Sequence, residues 1–451
     1  MPGSKSLFAA CVLTAQILVN PVLAQTTAII NVSVVSMTSE RIDPAQTVLV
    51  EDGQISVIGP VDTTPLPKDI EIVDGTDRFL MPGLAEMHAH VPDVSSQELG
   101  RVMTLFAANG VTTIRGMLGR PSHLQLRDDL LQERVFGPRL ITSGPSLNGN
   151  SVRSASSGAR LVQEQFAAGY DFIKIHPGLD AEEFEAIADS ANELGIPFAG
   201  HVPTAVGLNN ALALGMATID HLDGYLAALM PADSDASGGY GGFFDVLLAD
   251  QLAEERIAEL AARTAAAGTW NVATESLFEH RVSEVSAGEL SSLPEMRYMP
   301  RATVQQWATA KQRVENERGF DREVAQQAIR IRRMLIKALQ DAGAGLLLGS
   351  DAPQVFNVPG FSVHHELRFM VESGLTPFEA ISTGTTAVAE FLGSNTGSIE
   401  VGRDADFVLL DSNPLADITN TRRVHGVMLR GHWYSSTDLK ERLDPYRSQN
   451  N

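Results

Sequence analysis

Cysteine is all but missing from this chain of 451 residues: the single one, Cys11, sits inside an apolar stretch at the N-terminus that reads as a leader. Loss of that leader would leave a mature chain without cysteine. Disulfides are then excluded, and the fold must be held by its core. Basic residues are also scarce, 34 Lys and Arg against 55 Asp and Glu, for a net charge of −21. That balance argues against nucleic acid or an anionic membrane as partner, since both select a basic surface. Beyond the leader no apolar run approaches the ~20 residues of a membrane span, so no stable membrane insertion is expected once the leader is gone. The apolar fraction of 44% is ample for a large core and excludes a mostly disordered chain.

The leader has three recognisable parts. Lys5 gives a basic start, Leu7 to Val19 is largely apolar, and Val22-Leu23-Ala24 places small residues before a cut at Gln25. Residues 1–24 are therefore expected to be a signal peptide, and the protein to be exported to the periplasm or secreted. An uncleaved N-terminal anchor is the alternative.

Both ends of the remaining chain have the texture of short strands. Ala28 to Val35, Thr47 to Val50 and Gln54 to Ile58 lie at one end, with Asp52-Gly53 as a hairpin turn. Ser398 to Val401, Asp406 to Leu410 and Gly426 to Leu429 lie at the other. Neither end alone can bury a core, so residues 25–81 and 395–437 are expected to form one small β-sandwich, followed by a tail at 438–451.

Residues 82–394 alternate buried-type strands with helices. Gly83 to His90, Thr112 to Arg115, Arg139 to Ser143, Phe172 to His176, Phe198 to Val202, Thr218 to Leu222, Thr269 to Thr274 and Leu346 to Ser350 make eight strands. Asp180 with Glu183 forms a capping pair, and Val324, Ala328, Ile331, Leu335 and Leu339 follow helical spacing. This pattern predicts an α/β fold, a (β/α)8 TIM-type barrel. An open doubly wound sheet is the alternative, but no glycine-rich phosphate fingerprint follows any strand. The long connection from His221 to Thr269 and the segment 281–303 are expected to wall the active site.

Chemistry gathers at the strand ends. His88 and His90 are two apart on one strand, so both imidazoles point to one side and can meet one metal. His201, His221 and Asp351 end three further strands, and Lys174 lies within Phe172-Ile173-Lys174-Ile175, where a bare ammonium is costly to bury. In a barrel these six groups converge on one rim. Lys174 could instead pair with a buried carboxylate or serve as a Schiff-base lysine, though the latter leaves the histidines unexplained. His176 shares the face of Lys174. His123, His280, His425 and His432 read as loop or outer-face residues.

This constellation resembles the amidohydrolase superfamily of metal-dependent barrel hydrolases. Pro82-Gly83-Leu84 with His88 and His90 is similar to its first-strand signature, and Lys174, His201, His221 and Asp351 match its ligands on strands four, five, six and eight. Thr112 to Arg115, Gly374 to Ala380 and Asn413 to Ile418 resemble the imidazolonepropionase-like and Xaa-Pro dipeptidase (prolidase) branch. Leu147-Asn148-Gly149-Asn150 departs from that branch, which often has Gly-Gly-His after its third strand.

The resemblance implies two divalent cations, with zinc the metal expected from imidazole and carboxylate ligands. Lys174 would be carboxylated on its side-chain nitrogen and bridge them. His88, His90 and Asp351 would complete one metal, and His201 and His221 the other. It further implies hydrolysis of dipeptides or N-acyl amino acids by metal-activated hydroxide, with Asp351 as general base and then acid. Tyr225 would polarise the substrate carbonyl and His364 would orient the substrate. The rival readings are a lactonase, a phosphotriesterase-like or a cyclic amide hydrolase, and, outside catalysis, an exported metal- or carbohydrate-binding protein. Homo-oligomerisation is left open.

Overall fold

The computed structural model describes residues 26–231 and 241–447; the leader, most of the glycine-rich run at 234–242 and the last four residues lie outside them. Five strands open the chain: β1 (Thr27–Val35), β2 (Ile42–Glu51), β3 (Gln54–Pro60), β4 (Glu71–Asp74) and β5 (Phe79–Pro82). Asp52 and Gly53 turn β2 into β3 with φ of 51° and 77°, the backbone that a two-residue hairpin loop needs.

Seven short parallel strands follow: β6 (Leu84–Ala89), β7 (Val111–Gly116), β8 (Arg139–Thr142), β9 (Ile173–Ile175), β10 (Phe198–Gly200), β11 (Thr218–Asp220) and β12 (Trp270–Val272). The chain closes with β13 (Phe407–Leu410), β14 (Val424–Leu429) and β15 (His432–Ser435).

The two chain ends build one sheet of eight strands. Its order is β15-β14-β13-β5-β1-β2-β3, with β4 also pairing β1. β5 and β13 join the ends in antiparallel register from Phe407 opposite Pro82 to Leu410 opposite Phe79. Ile29, Val48, Ile55, Leu80, Phe407 and Met428 fill a core of its own. The expected strand at Ser398 to Val401 is instead a turn and extended chain, because Gly397 and Gly402 both take φ near 87° and bend it. The expected C-terminal tail contains the helix Ser436–Leu443, whose Leu439 and Leu443 are buried.

The middle of the chain is α/β, with β6-β7-β8 and β9-β10-β11-β12 as curled parallel sheets. Leu346 to Ser350, expected as an eighth strand, forms no continuous ladder. It is extended chain with single bridges, Asn271 to Leu346 on one side and Ala89 to Ala352 on the other. Single backbone bonds also run between these pieces. Asp171 N–H donates to Thr142 O at 3.0 Å, Leu347 N–H to Asn271 O at 2.8 Å, and Met87 N–H to Leu348 O at 2.8 Å.

Around the sheets the helices form as their sequence directs. Asp180 and Glu183 cap the helix Ala181–Leu194 reciprocally, and Gly195 ends it at φ 69°. The helix Arg322–Asp341 buries Ala328, Ile331, Leu335 and Leu339 along one face. The segment 281–303 contains the helix Ala287–Ser291 and a 3-10 turn at Pro294–Tyr298. Met296 and Tyr298 in that turn are buried, so the segment packs against the core.

The terminal sheet is bolted to the α/β unit through a charge. Asp406, 3% exposed, accepts from Arg139 Nε at 2.7 Å and from the Arg430 backbone N–H at 2.8 Å. Removing one partner of such a pair strands the other. Asp406→Ala should therefore lower unfolding stability by about 2–3 kcal/mol. Urea denaturation checks this, and a loss under about 0.5 kcal/mol would show that the pair adds nothing.

Candidate metal centre

His88, on β6, is 1% exposed. Its Nδ1 lies 2.9 Å from Asp220 Oδ2, while Nε2 lies 3.6 Å from Asp351 Oδ1. His90 Nε2 lies 2.6 Å from the same Asp351 oxygen. The rings of His88 and His221 are 4.5 Å apart between centroids, and those of His221 and His201 4.6 Å. His88, His221 and Asp351 each offer a ligand atom within 4.8 Å of the others. The tightest group thus includes His221 beside His88 and Asp351, where the expected partition paired His221 with His201.

Two of the imidazoles are oriented through Nδ1: His221 Nδ1 meets Thr274 Oγ1 at 2.8 Å and His201 Nδ1 meets Asp223 Oδ2 at 2.6 Å, while His88 Nδ1 lies 2.9 Å from Asp220 Oδ2 without a hydrogen bond. Outer partners of this kind fix ring orientation and leave Nε2 as the ligand atom. Burial holds His88 and His221 well below the ordinary imidazole range, helped by the Lys174 charge and neighbouring imidazoles. Both are therefore neutral, the form that binds metal.

Lys174 lies on β9 at zero exposure, and its Nζ has no hydrogen-bond partner. The nearest carboxylate oxygen, Asp220 Oδ2, is 3.9 Å away. Asp220 is itself engaged: Oδ1 accepts from Arg115 Nη2 at 3.2 Å and Thr218 Oγ1 at 2.8 Å. A close lysine–carboxylate pair is therefore not what holds Lys174. Burial lowers its pKa, opposed by Asp220 and Asp351. Space for the side chain comes from Gly200, where a Cβ would stand 2.8 Å from Nζ and from Cδ.

The turns that carry the ligands are strained and over-determined. His221, Leu222, Thr274 and Asp351 take φ of 65°, 55°, 46° and 65°, a region costly for residues with side chains. Arg332, fully buried, holds the first turns: it donates to His221 O at 2.7 Å, to Ala273 O at 2.9 Å and to Glu275 Oε2 at 2.8 Å. The Glu366 carboxylate accepts from the Glu275 and Ser276 N–H groups at 2.8 and 2.7 Å, at the start of the helix Glu275–Val282. Glu86 Oε1 accepts from the His88 and Ser350 N–H groups at 2.9 and 2.8 Å, tying the first strand to the Asp351 segment. Burial pushes Glu86 up to about 8 and Glu366 to about 7.

Two expected substrate residues lie elsewhere. Tyr225 is fully buried and its hydroxyl meets Thr264 Oγ1 at 3.0 Å and donates to Asn271 Oδ1 at 2.7 Å. The helix Tyr225–Ala228 turns it into the core, so it does not reach the centre to polarise a carbonyl. His364 is buried with both nitrogens in use, Nδ1 with Thr421 Oγ1 at 2.9 Å and Nε2 with Asn109 O at 3.1 Å. It packs between elements and orients no substrate.

His123 and His280, expected on the outside, are buried. His123 reaches Pro92 O at 3.1 Å, and His280 packs edge-on against His365. His425 and His432 do lie near the surface beside Asp411 and Glu133. His176 stacks on His201 at 5.0 Å.

The sequence reading passed over Glu86, Asp220, Asp223, Thr274, Arg332 and Glu366. A signal existed for three of them, since Asp220 and Asp223 flank His221 and Glu86 precedes His88 by two. Arg332 and Glu366 lie on distant helices and left none.

This donor set, neutral inward imidazoles with buried carboxylate and lysine atoms short of partners, fits a metal. Comparison with known proteins agrees. Residues 79–434 match the family model described as the amidohydrolase family, and the chain belongs to that family. A segment of 90 residues is 38% identical to the ochratoxinase of Aspergillus niger; the match spans 18% of this chain and only 18% of that relative.

Solved structures share the fold over nearly the whole chain. Bottromycin amidohydrolase has a TM-score of 0.71 at 23% identity, covering 93% of this chain and 90% of that one. A Xaa-Pro dipeptidase with bound methionine gives 0.64 at 18%, covering 91% and 100%. Ochratoxinase from A. niger gives 0.64 at 18%, covering 91% and 96%. These neighbours place the chain among TIM-barrel-like proteins with a β-sandwich domain.

His364 generates a pH prediction. Burial lowers it to about 3, against ~6.5 in an unfolded chain. The unfolded state therefore takes up the proton first. This contribution to stability is complete above about 6.5 and lost as pH falls towards 3, on the order of 1 kcal/mol per pH unit. His364→Gln should make the fall between pH 6.5 and 5 shallower by about 1–2 kcal/mol, read by urea denaturation at each pH. Parallel curves for both proteins would refute it.

Proposed function

We propose that this protein is a metal-dependent hydrolase of amide bonds that holds two divalent cations, zinc being the expected metal, and acts on dipeptides or N-acyl amino acids. The observation that carries the reading is Lys174 Nζ: fully buried, without a hydrogen-bond partner, and 3.9 Å from the Asp220 oxygen that His88 also faces. A bare ammonium there pays desolvation with nothing to offset it. Addition of carbon dioxide to Nζ, with loss of two protons to solvent, would turn the ammonium into a carbamate anion with two oxygens, which two cations would hold favourably. His88, His90 and Asp351 would serve one cation and His201 with His221 the other, with Lys174 between. The tight spacing of His221 to His88 supports a pair of neighbouring ions over two separate sites.

When bound, such cations act as Lewis acids and lower the pKa of water. The chain's own part is positional. Asp351, fixed in its left-handed turn beside His88 and His90, would take a proton on its carboxylate and return it to the leaving nitrogen. Asp220, Asp223 and Thr274 would keep the imidazoles aimed. His90 and His201, at 21% and 16% side-chain exposure, mark the side from which substrate enters.

The same proposal takes the stretch Leu346 to Ser350 as the eighth segment of a (β/α)8 ring, supported by the bridges Asn271 to Leu346 and Ala89 to Ala352. Export belongs to the same proposal, with the mature chain beginning at Gln25; intact mass of the secreted protein reads this directly, and retention of residues 1–24 would favour an anchor. The local likeness to ochratoxinase makes ochratoxin a compound to assay beside dipeptides and N-acyl amino acids.

Lys174→Ala tests the core of this reading. Wild-type protein should carry close to two divalent ions per chain by elemental analysis. The variant should lose activity by about two orders of magnitude or more. Millimolar acetate or propionate should restore part of it, together with metal content, by filling the space of the proposed carbamate. A structural ammonium would not respond to an added anion. Full activity in the unsupplemented variant, or one ion per chain at full activity, would overturn the binuclear reading.

A further inference from the structure

Beside the centre one cation is left over. The helix Glu275–Val282 is faced by Arg332 and Arg333, which pair with its Glu275 and Glu279. Arg281, on the same helix, forms no such pair among the described residues, and its Nε is buried without a hydrogen-bond partner. Its guanidinium lies over the ring of Phe243, 4.5 Å from the centroid. Phe243 packs on Phe244 at 4.2 Å, and Phe244 stacks on the His221 ring at 4.9 Å and 13°. An unbroken line of rings thus runs from a candidate ligand to the guanidinium.

That line is held by unusual backbone. Phe244 and Asp245 take φ of 48° and 60°, uncommon for residues with side chains and rarer still for a bulky one. The Asp351 carboxylate is close enough to stabilise the Arg281 charge against the effect of burial. Arg281 is joined to the centre by this line, through Phe243 and Phe244 to the His221 ring.

A guanidinium offers several donors in a planar fork, and an unfilled donor in a buried position is costly. Stacking on an aromatic face offsets part of that cost and leaves the edge of the fork free. The ligand such an edge fits is a carboxylate held in bidentate fashion. We infer that Arg281 is a specificity-determining residue that binds the free carboxylate of the substrate. The preferred substrates are then amides whose leaving amine is an amino acid, with the carboxylate on the carbon next to the scissile nitrogen. This rests on the amide-hydrolase reading above. It goes further by separating N-acyl amino acids and free dipeptides from neutral amides, lactones and phosphotriesters.

The test uses the metal-loaded full chain with a panel of N-acetyl-L-amino acids, each beside its C-terminal carboxamide. Wild-type protein should prefer the acids by about tenfold or more in kcat/KM. In Arg281→Met that preference should collapse to about one, mainly through KM for the acids, and Arg281→Lys should recover part of it. Calorimetric binding of the same ligands supplies a second readout, in which Arg281→Met should weaken the acids about tenfold relative to the carboxamides. Should Arg281→Met fail to fold, Arg281→Gln and Arg281→Lys carry the same comparison.

The outcomes separate the two claims. Cleavage of acids and carboxamides alike, slowed equally by the variants, overturns the role of Arg281 and leaves amide hydrolysis standing. If no amide is cleaved but carboxylate binding still depends on Arg281, the activity fails and the subsite stands. No cleavage together with equal binding overturns both.

Discussion

A lysine nitrogen sealed from water without a hydrogen-bond partner is the constraint to which the middle of this protein is fitted. Desolvating an ammonium costs several kcal/mol even after relaxation, and the nearest carboxylate oxygen, Asp220 Oδ2, is 3.9 Å off and shared with His88. The other groups make sense around that cost. Gly200 withholds a side chain so that Nζ fits. Arg115 is drawn to the other oxygen of Asp220 and enclosed between Phe172 and Phe391. Burial keeps His88 and His221 neutral, and Thr274 and Asp223 hold the Nδ1 atoms of His221 and His201. An arrangement so costly without a ligand is one in which a bound cation replaces what water would have supplied.

Precision at the centre comes from carbonyls and amides as much as from side chains. Glu86 bridges the N–H groups of His88 and Ser350, and Arg332 bridges the carbonyls of His221 and Ala273. Glu366 takes the first N–H groups of the helix that follows Thr274. These contacts cross between β6, β11, the turn after β12 and two helices of the outer layer. Left-handed residues at His221, Thr274 and Asp351 persist because each is held from more than one direction. The same helix that Glu366 anchors carries Arg281, so the placing of the candidate ligands and that of the proposed carboxylate-binding guanidinium share one rigid element.

The candidate ligands were legible because strand ends are written in a regular way, and the structure groups His88, His221 and Asp351 among them. His88 and His90 two apart, Lys174 within an apolar run, and His201, His221 and Asp351 after short β-branched or small-residue segments all follow from period and position. The hairpin at Asp52-Gly53 and the capped helix after Asp180 were legible for the same reason. Residues on connections were not. Tyr225 and His364 have the right chemistry for substrate contact, but short helices aim them into the core, where Thr264, Asn271, Thr421 and Asn109 take up their polar atoms. Nothing local in the sequence encodes that choice. His123 and His280 read as loop or outer-face residues in the sequence, yet tertiary packing buries both. The stretch Leu346 to Ser350 has strand composition but pairs through isolated bridges, since its path is set by the Asp351 turn that follows.

The terminal sheet is more than an appendage, for it is continuous with the strand that carries two candidate ligands. β5 ends at Pro82, paired with Phe407. One residue later Gly83 N–H donates to Asp406 O at 3.0 Å, and Leu84 N–H then donates to Gly110 O at 2.9 Å as β6 begins. The chain passes from one sheet to the other in a single glycine. A Cβ there would stand 2.2 Å from Thr112 Cγ2, so only glycine allows the two sheets to approach this closely. The register of β13 against β5 is thereby handed on to β6, four residues before His88. Slipping that register by one residue would reverse every side chain along the strand and turn His88 and His90 away from Asp351. Sequence from the far end of the chain, in Asp406 and Phe407, thus helps to set where the first two imidazoles point.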